Sequence, residues 1–480
     1  MAHIDTIKRT KILATIGPAT DSPEILEQII RSGVNACRMN FSHGSEQERI
    51  QEIASIRAIE QKLNRHIAIV QDLQGPKIRL GQLKDDMRYN IEANDELGLT
   101  YGIEHDGGNN LPSQYDLTDK CKPGDAIYLF DGKIKTIVQR IENNTVWVKA
   151  LNRGFVLSRK AINLPDMAGA AADSLTAKDL ADLEWSLDKD IDFTAISFVH
   201  TAEDVIKLRR LLESKGSDRM IITKLETKTA ADPKNLEDIV IASDGVMVAR
   251  GDLAVEAGAE IVPILERRII ELCQKHCKFC IVATQMLASM VDSPEPTRAE
   301  VSDIATAAIE GADAVMLSDE TAMGKYPVEA VTIMNKTLMY TQKDRPVYSL
   351  YVRNGSDPQR DAIAKTAIDL AKKIDADAIM VESASGWMAR NVAVNRPDIP
   401  MLAVVPTSKL ANRLSLLFSG RTFIGQAGEC ESIARKLVSE NFFGKPDPKI
   451  ILIQCVYSNM ANKGIANTIR LMDFSNQVES

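Results

Sequence analysis

The sequence predicts an α/β fold: a closed (β/α)8 barrel, a small β domain inserted into it, and an open-sheet α/β domain after it. Three observations lead to this fold class. Eight short apolar stretches rich in β-branched residues recur, helical periodicity lies between most of them, and one long interruption breaks the series. At 480 residues the chain exceeds what one hydrophobic core usually supports, so we expect several domains.

The eight apolar stretches are the predicted barrel strands. Several of the helical segments between them open with Ser, Asp or Pro and close at Gly, as helix caps prefer. Barrels of this kind carry their active sites at the carboxyl ends of the strands, so we expect the functional residues there. The predicted strands are residues 11–16, 34–41, 67–73, 192–199, 220–226, 245–252, 279–286 and 313–320.

An insertion separates the third and fourth predicted strands. The gap is about 120 residues, whereas one barrel repeat needs roughly 25 to 30 by the size of a βαβ unit. Inside it, AIYLF, KTIVQRI and TVWVKAL alternate apolar and polar residues between turn sequences. This predicts a β domain over residues 76–168, placed as a lid on the catalytic face. The barrel then comprises residues 1–75 and 169–345.

Residues 346–480 predict a C-terminal α/β domain. After a linker-like DRPVYSLYVRNGSDPQR, helical and strand patterns alternate, which favours an open, mostly parallel sheet. The turn ESASGWMAR places Ser383, Ser385 and Gly386 just before a helix. There they can cradle the phosphate of an effector or merely cap the helix, and both interpretations stay open.

Composition and charge exclude several function classes. The net charge is −8 and no Lys/Arg block is present, so we expect no nucleic-acid partner. No stretch is long and apolar enough to span a bilayer, and the N-terminal residues lack the pattern of a signal peptide. Seven cysteines, an odd and scattered number, favour reduced thiols and a cytoplasmic location.

The segment CQKHCKFC has spacings that a zinc site could use. Its first part continues a helical pattern, whereas FCIVATQM starts an apolar strand. Because the side chains would diverge onto two elements, we predict no metal there. The residues concerned are Cys273, His276, Cys277 and Cys280.

Charged and polar residues collect at the predicted carboxyl ends of the strands. Any one of these residues could be a helix cap, a buried polar residue or a surface charge. Because they converge from the ends of six strands, however, together they predict an active site. They are Arg38, Asn40 and Ser42; Asp72; Lys224 and Glu226; Arg250 and Asp252; Thr284 and Gln285; Ser318, Asp319 and Glu320.

Four of these residues indicate phosphoryl transfer. Glu226 and Asp252, on neighbouring strands, offer the hard oxygen ligands that suit Mg²⁺ or Mn²⁺. Lys224 lies two residues before Glu226, so both side chains point to the same side of the strand. Arg38 adds a bidentate donor for phosphate oxygens. Transfer of a phosphoryl group needs a metal ion and cationic side chains around one pocket. No GxxxxGK[ST] loop is present, so any nucleotide is held in another way.

Six motifs resemble the successive signatures of the pyruvate kinase family, in family order. They are CRMNFSHG, QDLQGPKIR, TKLET, MVARGDLAVE, ATQMLASM and LSDETAMGKYP. The resemblance covers essentially the whole chain. It implies Mg²⁺-dependent transfer from phosphoenolpyruvate to ADP, giving pyruvate and ATP in the final step of glycolysis. It also implies a homotetramer, while the C-terminal turn separately predicts allosteric activation by a phosphorylated metabolite.

The resemblance further implies roles for individual residues. Lys224 stabilises the phosphoryl group in flight and Arg38 grips it, while Glu226 and Asp252 hold the divalent ion. Gly251 lets the backbone approach the substrate carboxylate, and Thr284 lies near the methylene carbon, within a water relay that protonates the enolate. The residues implied to contact the nucleotide are Arg79, Lys160, Asn40, Phe41, Ser42 and His43.

One departure concerns potassium. Many family members have an acidic residue in the segment that here reads DLQGPKIR, and they need K⁺, bound by residues matching Asn40, Ser42, Asp72 and the Leu73 backbone. This chain has Lys77 instead, as in members that resemble it at Leu73, Gln74 and Leu80 and are independent of monovalent cations. An ammonium group supplies positive charge and repels a second cation, so we expect no K⁺ requirement. The alternative is that Lys77 points into solvent from a domain hinge.

Two other functions stay open at this point. A Mg²⁺-dependent barrel lyase that handles an enolate shares the paired carboxylates but has no need of Arg79, Lys160 and a lid. A catalytically silent metabolite sensor uses the C-terminal turn and tolerates loss of Lys224, which this chain retains.

Overall fold

The structure is a computed structural model that describes residues 3–165, 174–344, 347, 358–457 and 465–476. Its strands are β1 Lys11–Ile16, β2 Ala36–Asn40, β3 Ala68–Asp72, β4 Tyr89–Ile91, β5 Glu96–Tyr101, β6 Asn110–Ser113, β7 Ala126–Leu129, β8 Ile134–Glu142, β9 Thr145–Ala150, β10 Gly154–Val156, β11 Ile162–Asn163, β12 Phe193–Ile196, β13 Met220–Leu225, β14 Gly245–Ala249, β15 Phe279–Ala283, β16 Ala314–Leu317, β17 Ala378–Glu382, β18 Met401–Val405, β19 Gly420–Ile424, β20 Lys449–Tyr457 and β21 Ile465–Asp473.

The helices are α1 Pro23–Ser32, α2 Glu46–Leu63, α3 Ala177–Ser186, α4 Ala202–Ser214, α5 Lys228–Ala231, α6 Pro233–Ala242, α7 Arg250–Ala257, α8 Val262–Lys275, α9 Arg298–Glu310, α10 Asp319–Ala322, α11 Pro327–Asp344, α12 Pro358–Lys373, α13 Trp387–Val394, α14 Ser408–Arg413 and α15 Cys430–Ser439. Several begin where a capping box satisfies the first backbone amides, as Ser45 and Glu48 do for α2. No helix among these residues is long and apolar enough to cross a membrane.

Eight parallel strands close into the predicted barrel, in the order β1-β16-β15-β14-β13-β12-β3-β2. Their side chains are almost all buried, because one face fills the barrel interior and the other packs against the surrounding helices. The register places Asn40 of β2 and Ala195 of β12 on either side of Asp72. The closed barrel confirms the fold class and brings the strand ends to one face.

Some predicted strand ends are wrong. The predicted strand 245–252 stops at Ala249, and Arg250, Gly251 and Asp252 form the first turn of α7 instead. The predicted strands 279–286 and 313–320 likewise end early, at Ala283 and Leu317. A fully buried strand offers no partners for charged side chains, whereas the first turn of a helix favours a carboxylate such as Asp252.

The insertion between β3 and β12 folds into a six-stranded sheet, β11-β7-β8-β9-β5-β6, with the pair β10-β4 beside it. It has a hydrophobic core of its own that includes Leu99, Ile127 and Val148. We call it the lid. After the barrel, a five-stranded sheet in the order β19-β18-β17-β20-β21 is parallel except for β21, as predicted. The domain limits 1–75 with 169–345, 76–168 and 346–480 stay predictions.

The barrel and the C-terminal domain meet at a buried ion pair. Arg396 Nη2 lies 2.8 Å from Asp313 Oδ2, and the two side chains are 0% and 1% exposed. The residues before β1 also join the C-terminal domain: the Ile4 amide donates to the Phe442 carbonyl at 3.0 Å, and the Arg9 carbonyl accepts from the Ser419 amide at 2.8 Å. The first and last parts of the chain therefore form one interface.

Candidate active site

Arg38 is fixed at the carboxyl mouth of the barrel by two neighbouring strands. Its Nε donates to Asp72 Oδ2 at 2.5 Å and its Nη1 to Thr15 Oγ1 at 3.0 Å. Burial alone would raise the pKa of Asp72, but Lys224 and Arg38 outweigh it and lower that pKa. Asp72 therefore stays ionised and orients a guanidinium whose remaining donors suit an anion.

Lys224 lies at the centre of the charged cluster. Its Nζ donates to Ser197 Oγ at 2.8 Å, and it lies 3.0 Å from Glu226 Oε1 and 3.4 Å from Asp72 Oδ1. Burial lowers the pKa of Lys224, but Asp72 and Glu226 more than compensate and raise it. A fully protonated ammonium group is thus held in a pocket where water screens it little.

Glu226 and Asp252 are the paired carboxylates that the sequence predicts. Glu226 Oε2 accepts from the Phe198 amide at 2.7 Å, and its side chain is 1% exposed. Burial and then the charge of Asp252 raise the pKa of Glu226, while Lys224 opposes them. Two carboxylates that destabilise each other's charge across a pocket fit a divalent ion, which would relieve that repulsion.

The residues described contain no group of three His, Cys, Asp or Glu side chains that could hold a metal. Two protein carboxylates suit Mg²⁺ in particular, because this ion keeps several positions for water and substrate oxygens. That the CQKHCKFC segment forms no zinc site stays a prediction.

Lys77 reaches into this cluster from the start of the lid. Its Nζ lies 3.2 Å from Asp252 Oδ1, and both side chains are 22% exposed. The alternative in which Lys77 merely points into solvent therefore does not describe its position. The pairing places a third cation beside the carboxylates.

Gly251 and Thr284 are joined directly. The Gly251 amide donates to Thr284 Oγ1 at 2.8 Å. A Cβ on Gly251 would meet only Thr284 at ordinary contact distance, so the protein leaves space above this backbone. Thr284 has φ +70, a conformation that costs a β-branched residue about 1–3 kcal/mol. Such strain persists only where the surroundings enforce it.

Arg250 holds Thr284 in this strained conformation, and its side chain does not face the pocket. Its Nη2 donates to the Thr284 carbonyl at 2.8 Å and its Nη1 to Asp303 Oδ1 at 2.9 Å. In the sequence Arg250-Gly251-Asp252 (RGD), the arginine thus stabilises the backbone at Thr284, whereas the glycine and the aspartate line the site.

The residues predicted to contact the nucleotide lie on both sides of the cleft between lid and barrel. Burial and then the charge of Arg79 lower the pKa of His43, so these two residues act on each other across it. Lys160 Nζ lies 5.1 Å from the ring of Phe130, in the lid. The Phe41 side chain is buried, and its carbonyl accepts from Lys178 Nζ at 2.6 Å.

A cavity of about 540 Å³ between the lid and the barrel, which none of these predicted nucleotide residues lines, includes residues that sequence reasoning missed, among them Tyr115, Lys178, His200 and Thr229. Lys178 lies four residues before Asp182 on α3 and pairs with it. This spacing is that of an ordinary surface ion pair on a helix, so the sequence does not mark Lys178 as a functional residue. Ser197 and Thr15 were missed because small hydroxyl residues inside apolar strands carry no pattern.

Two of the oxygen atoms predicted to bind K⁺ accept hydrogen bonds from protein donors. Asn40 Oδ1 accepts from the Ser42 amide at 3.1 Å, and the Leu73 carbonyl accepts from Ser197 Oγ at 2.7 Å. Asp72 lies between Arg38 and Lys224, two cations that repel a third. The expectation that the enzyme needs no K⁺ stays a prediction.

The C-terminal turn has the contacts of a helix cap. Gly386, with φ +78, is the N-cap of α13, and Ser383 Oγ accepts from the Ala389 amide at 3.5 Å. Ser385 is exposed. These contacts match the capping alternative, and the effector role of the three residues stays a prediction.

The fold and this cluster of charges define a (β/α)8-barrel enzyme that handles anionic substrates at the carboxyl ends of its strands. Residues 7–331 match the family model for the pyruvate kinase barrel domain, and residues 361–472 match that for the pyruvate kinase alpha/beta domain. The chain belongs to the pyruvate kinase family.

Individual relatives agree over nearly the full length. A pyruvate kinase of Agrobacterium vitis is 38% identical over 479 residues, covering 98% of this chain and 97% of the relative. One from Thermococcus litoralis is 35% identical, covering 93% and 95%. The crystal structure of a pyruvate kinase from Cryptosporidium parvum superposes with a TM-score of 0.88 at 28% identity, covering 98% and 97%. The enzyme transfers the phosphoryl group of phosphoenolpyruvate to ADP, giving pyruvate and ATP in glycolysis. This confirms the predicted phosphotransferase over the lyase and sensor alternatives.

Proposed function

We propose that Lys224 and Arg38 carry the phosphoryl transfer, with Glu226 and Asp252 holding Mg²⁺ beside them. The observation that supports this most is the position of Lys224 Nζ, 3.0 Å from Glu226 Oε1 and 3.4 Å from Asp72 Oδ1. A protonated ammonium group next to the metal-binding carboxylate is aimed at the negative charge that spreads over a migrating phosphoryl group.

Each residue then has one task. The bond between phosphorus and the enol oxygen breaks, a bond from the ADP β-phosphate oxygen to phosphorus forms, and the enolate carbon takes a proton through water near Thr284. Arg38, held by Asp72 and Thr15, grips the phosphoryl oxygens. Gly251 opens the way for the substrate carboxylate to the first turn of α7, whose amides favour an anion.

When bound, Mg²⁺ would neutralise part of the phosphate charge, and Mn²⁺ can replace it because both take hard oxygen ligands. Glu226 and Asp252 are the protein ligands in this proposal. Their contacts with Lys224 and Lys77 hold them in place until the ion arrives.

Asp252→Asn is expected to weaken Mg²⁺ binding by at least tenfold. Loss even of a residue that only supports a metal ligand typically costs 10- to 100-fold, and this substitution removes the charge of a ligand itself. The measurement is Mn²⁺ binding by electron paramagnetic resonance, together with the Mg²⁺ concentration at half-maximal rate. Asp238→Asn, on the exposed face of α6, is the matched control. Unaltered ion affinity in Asp252→Asn would remove Asp252 from the metal site.

We propose further that Lys77 takes the place of K⁺. We expect substantial activity with Mg²⁺ when tetramethylammonium is the monovalent cation, and a new K⁺ requirement in Lys77→Glu. The ammonium group of Lys77 already lies 3.2 Å from Asp252 Oδ1, so the charge it supplies is inside the site. Initial rates with and without KCl test this, with the exposed lid variant Lys122→Glu as control. Strict dependence of the unmodified enzyme on K⁺ contradicts it.

The nucleotide roles and the assembly rest on the family resemblance, whereas the effector role rests on the C-terminal turn. Arg79 and Lys160 reach the nucleotide phosphates, with Asn40, Phe41, Ser42 and His43 beside them. A singly phosphorylated effector binds at Ser383, Ser385 and Gly386 of a cytoplasmic homotetramer. Cys37, Cys121, Cys273 and Cys280 are free thiols, which supports the cytoplasmic location. A calorimetric screen of phosphorylated metabolites and sedimentation equilibrium test the effector and the assembly.

A further inference from the structure

Glu266 is a buried carboxylate outside the charged cluster at the mouth of the barrel. It lies on the buried face of α8, which also carries the core residues Leu265, Ile269 and Ile270. A carboxylate in such a place costs free energy unless another group compensates its charge. No step of the proposed phosphoryl transfer involves Glu266, so its partner indicates what it does.

That partner is Arg250, in the first turn of α7. Arg250 Nη1 donates to Glu266 Oε2 at 3.4 Å and to Asp303 Oδ1, on α9, at 2.9 Å. Arg250 Nη2 lies 2.8 Å from Asp303 Oδ2. One guanidinium group is therefore shared between two carboxyl groups on two different helices.

Other donors of Arg250 reach the backbone at the end of β15. Its Nη2 donates to the Thr284 carbonyl at 2.8 Å, and its Nε to the Ala283 carbonyl at 3.3 Å. Thr284 has φ +70, so these bonds hold a conformation that its side chain disfavours. A shift of the guanidinium group would therefore move Thr284 and, with it, the hydroxyl group that accepts from the Gly251 amide.

The two carboxyl groups hold Arg250 in different ways. The Asp303 side chain is 38% exposed, so water screens its charge and weakens the ion pair. The Glu266 side chain is 7% exposed, so its charge acts on Arg250 with little screening. When Glu266 is ionised, it is the stronger influence on the orientation of the guanidinium group.

We propose that Glu266 is a positioning residue for the protonation of the enolate, and that it acts on Thr284 through Arg250 when its carboxyl group is ionised. The proposal rests on the role of Thr284 in the proposed function. Ionised Glu266 attracts Arg250 Nη1 and so keeps Nη2 on the Thr284 carbonyl. Neutral Glu266 leaves Arg250 to Asp303, and a small misplacement of Thr284 then slows proton transfer.

Glu266 changes its charge close to neutral pH. Burial raises the pKa of Glu266 to about 7; Arg250 opposes this shift, whereas Asp303 and Glu310 of α9 add to it. Cys280 of β15 also faces Glu266, but as a neutral thiol. Because the pKa is raised from 4.5, the folded state loses stability as the pH rises from 4.5 to about 7.

Exchange of the pyruvate methyl protons with D₂O, in the presence of Mg²⁺ and ATP, measures the proton-transfer step directly. Pyruvate loses a methyl proton to the relay near Thr284, and the enolate then takes up a deuteron from solvent. We expect Glu266→Gln, which resembles the neutral carboxyl group, to exchange within about twofold of the parent near pH 6 and about tenfold more slowly near pH 8. Its KM for phosphoenolpyruvate should change little, because Arg38 and Lys224 are unaltered.

Two further variants of α8 complete this comparison. Glu266→Asp, which keeps a carboxyl group, should recover part of the rise in exchange rate with pH. Glu271→Gln, in the exposed pair with Arg267, is the matched control and should follow the parent at every pH.

Thermal unfolding gives a second measurement, which does not depend on turnover. The Tm of Glu266→Gln should rise relative to the parent between about pH 5 and 7.5, since the parent gains a buried charge that the variant lacks. This also shows that the variant folds. A ratio of exchange rates or a difference in Tm that does not change with pH overturns the proposal.

Thr284→Val distinguishes this proposal from the proposed function. Slow exchange in Thr284→Val, together with a pH-independent ratio for Glu266→Gln, removes the role of Glu266 alone. Parental exchange in Thr284→Val contradicts the role of Thr284 itself and, with it, the role of Glu266.

Discussion

Lys224→Met is expected to lower kcat by about 10³-fold or more while the KM for phosphoenolpyruvate changes only a few-fold. The ammonium group is aimed at charge that develops on the phosphoryl group during transfer, so its loss weakens the transition state more than the bound substrate. In the variant, Arg38 still neutralises the charge of Asp72, and the Phe198 amide still donates a hydrogen bond to Glu226. We therefore expect the barrel to stay folded. Steady-state kinetics and circular dichroism provide the measurements.

Lys234→Met, on the exposed start of α6, is the matched control for this substitution and should retain the parental rate. Near-normal turnover by purified Lys224→Met would show that Lys224 is not required in the transition state. A large rise in KM at unchanged kcat would also contradict the proposal, because it would mean that Lys224 only binds the ground state.

Arg396→Met is expected to lower the free energy of unfolding by about 3–5 kcal/mol. The substitution leaves Asp313 buried between the barrel and the C-terminal domain without its guanidinium partner, to which it is bound through both carboxylate oxygens, at 3.0 and 2.8 Å. Among the described residues, only the amides of Cys280 and Phe418 then remain as donors to the Asp313 carboxylate. The loss in the free energy of unfolding is measured by urea unfolding, monitored by tryptophan fluorescence. The first transition is the one to compare, because a chain of several domains need not unfold in one step.

The double variant Arg396→Met with Asp313→Asn is expected to recover part of that loss, because it removes the buried charge as well as its partner. Glu271→Gln, in the exposed pair with Arg267, should cost less than about 1 kcal/mol. A loss below about 1 kcal/mol in Arg396→Met would show that the pair contributes little to the interface.

The sequence predicted features that repeat at short range. Eight apolar stretches with helical segments between them identify the barrel, because burial on both faces leaves a pattern in consecutive residues. Lys224 and Glu226 were found together for the same reason, since they alternate on one strand. The ends of strands were predicted less well: Arg250 lies in the first turn of α7 and braces Thr284, which the RGD sequence alone does not reveal.

Contacts between distant residues left no such pattern. Lys77 and Asp252 are 175 positions apart, and their ion pair exists only because the lid begins at the mouth of the barrel. Each one looks like an ordinary surface residue until the fold removes it from water. Tertiary packing alone brings these charges together.

The contacts that residues 4 and 11 make with residues 442 and 420 also order events during synthesis. The Ile4 amide needs the Phe442 carbonyl, and Lys11 needs the Gly420 carbonyl, so these hydrogen bonds wait until residues far along the chain have been made. At about 5–20 residues per second, a ribosome takes roughly 20 to 90 s to cover that distance. The lid and the barrel helices can form in the meantime, but the seam that joins the barrel to the C-terminal domain closes only after Gly420 and Phe442 have been made.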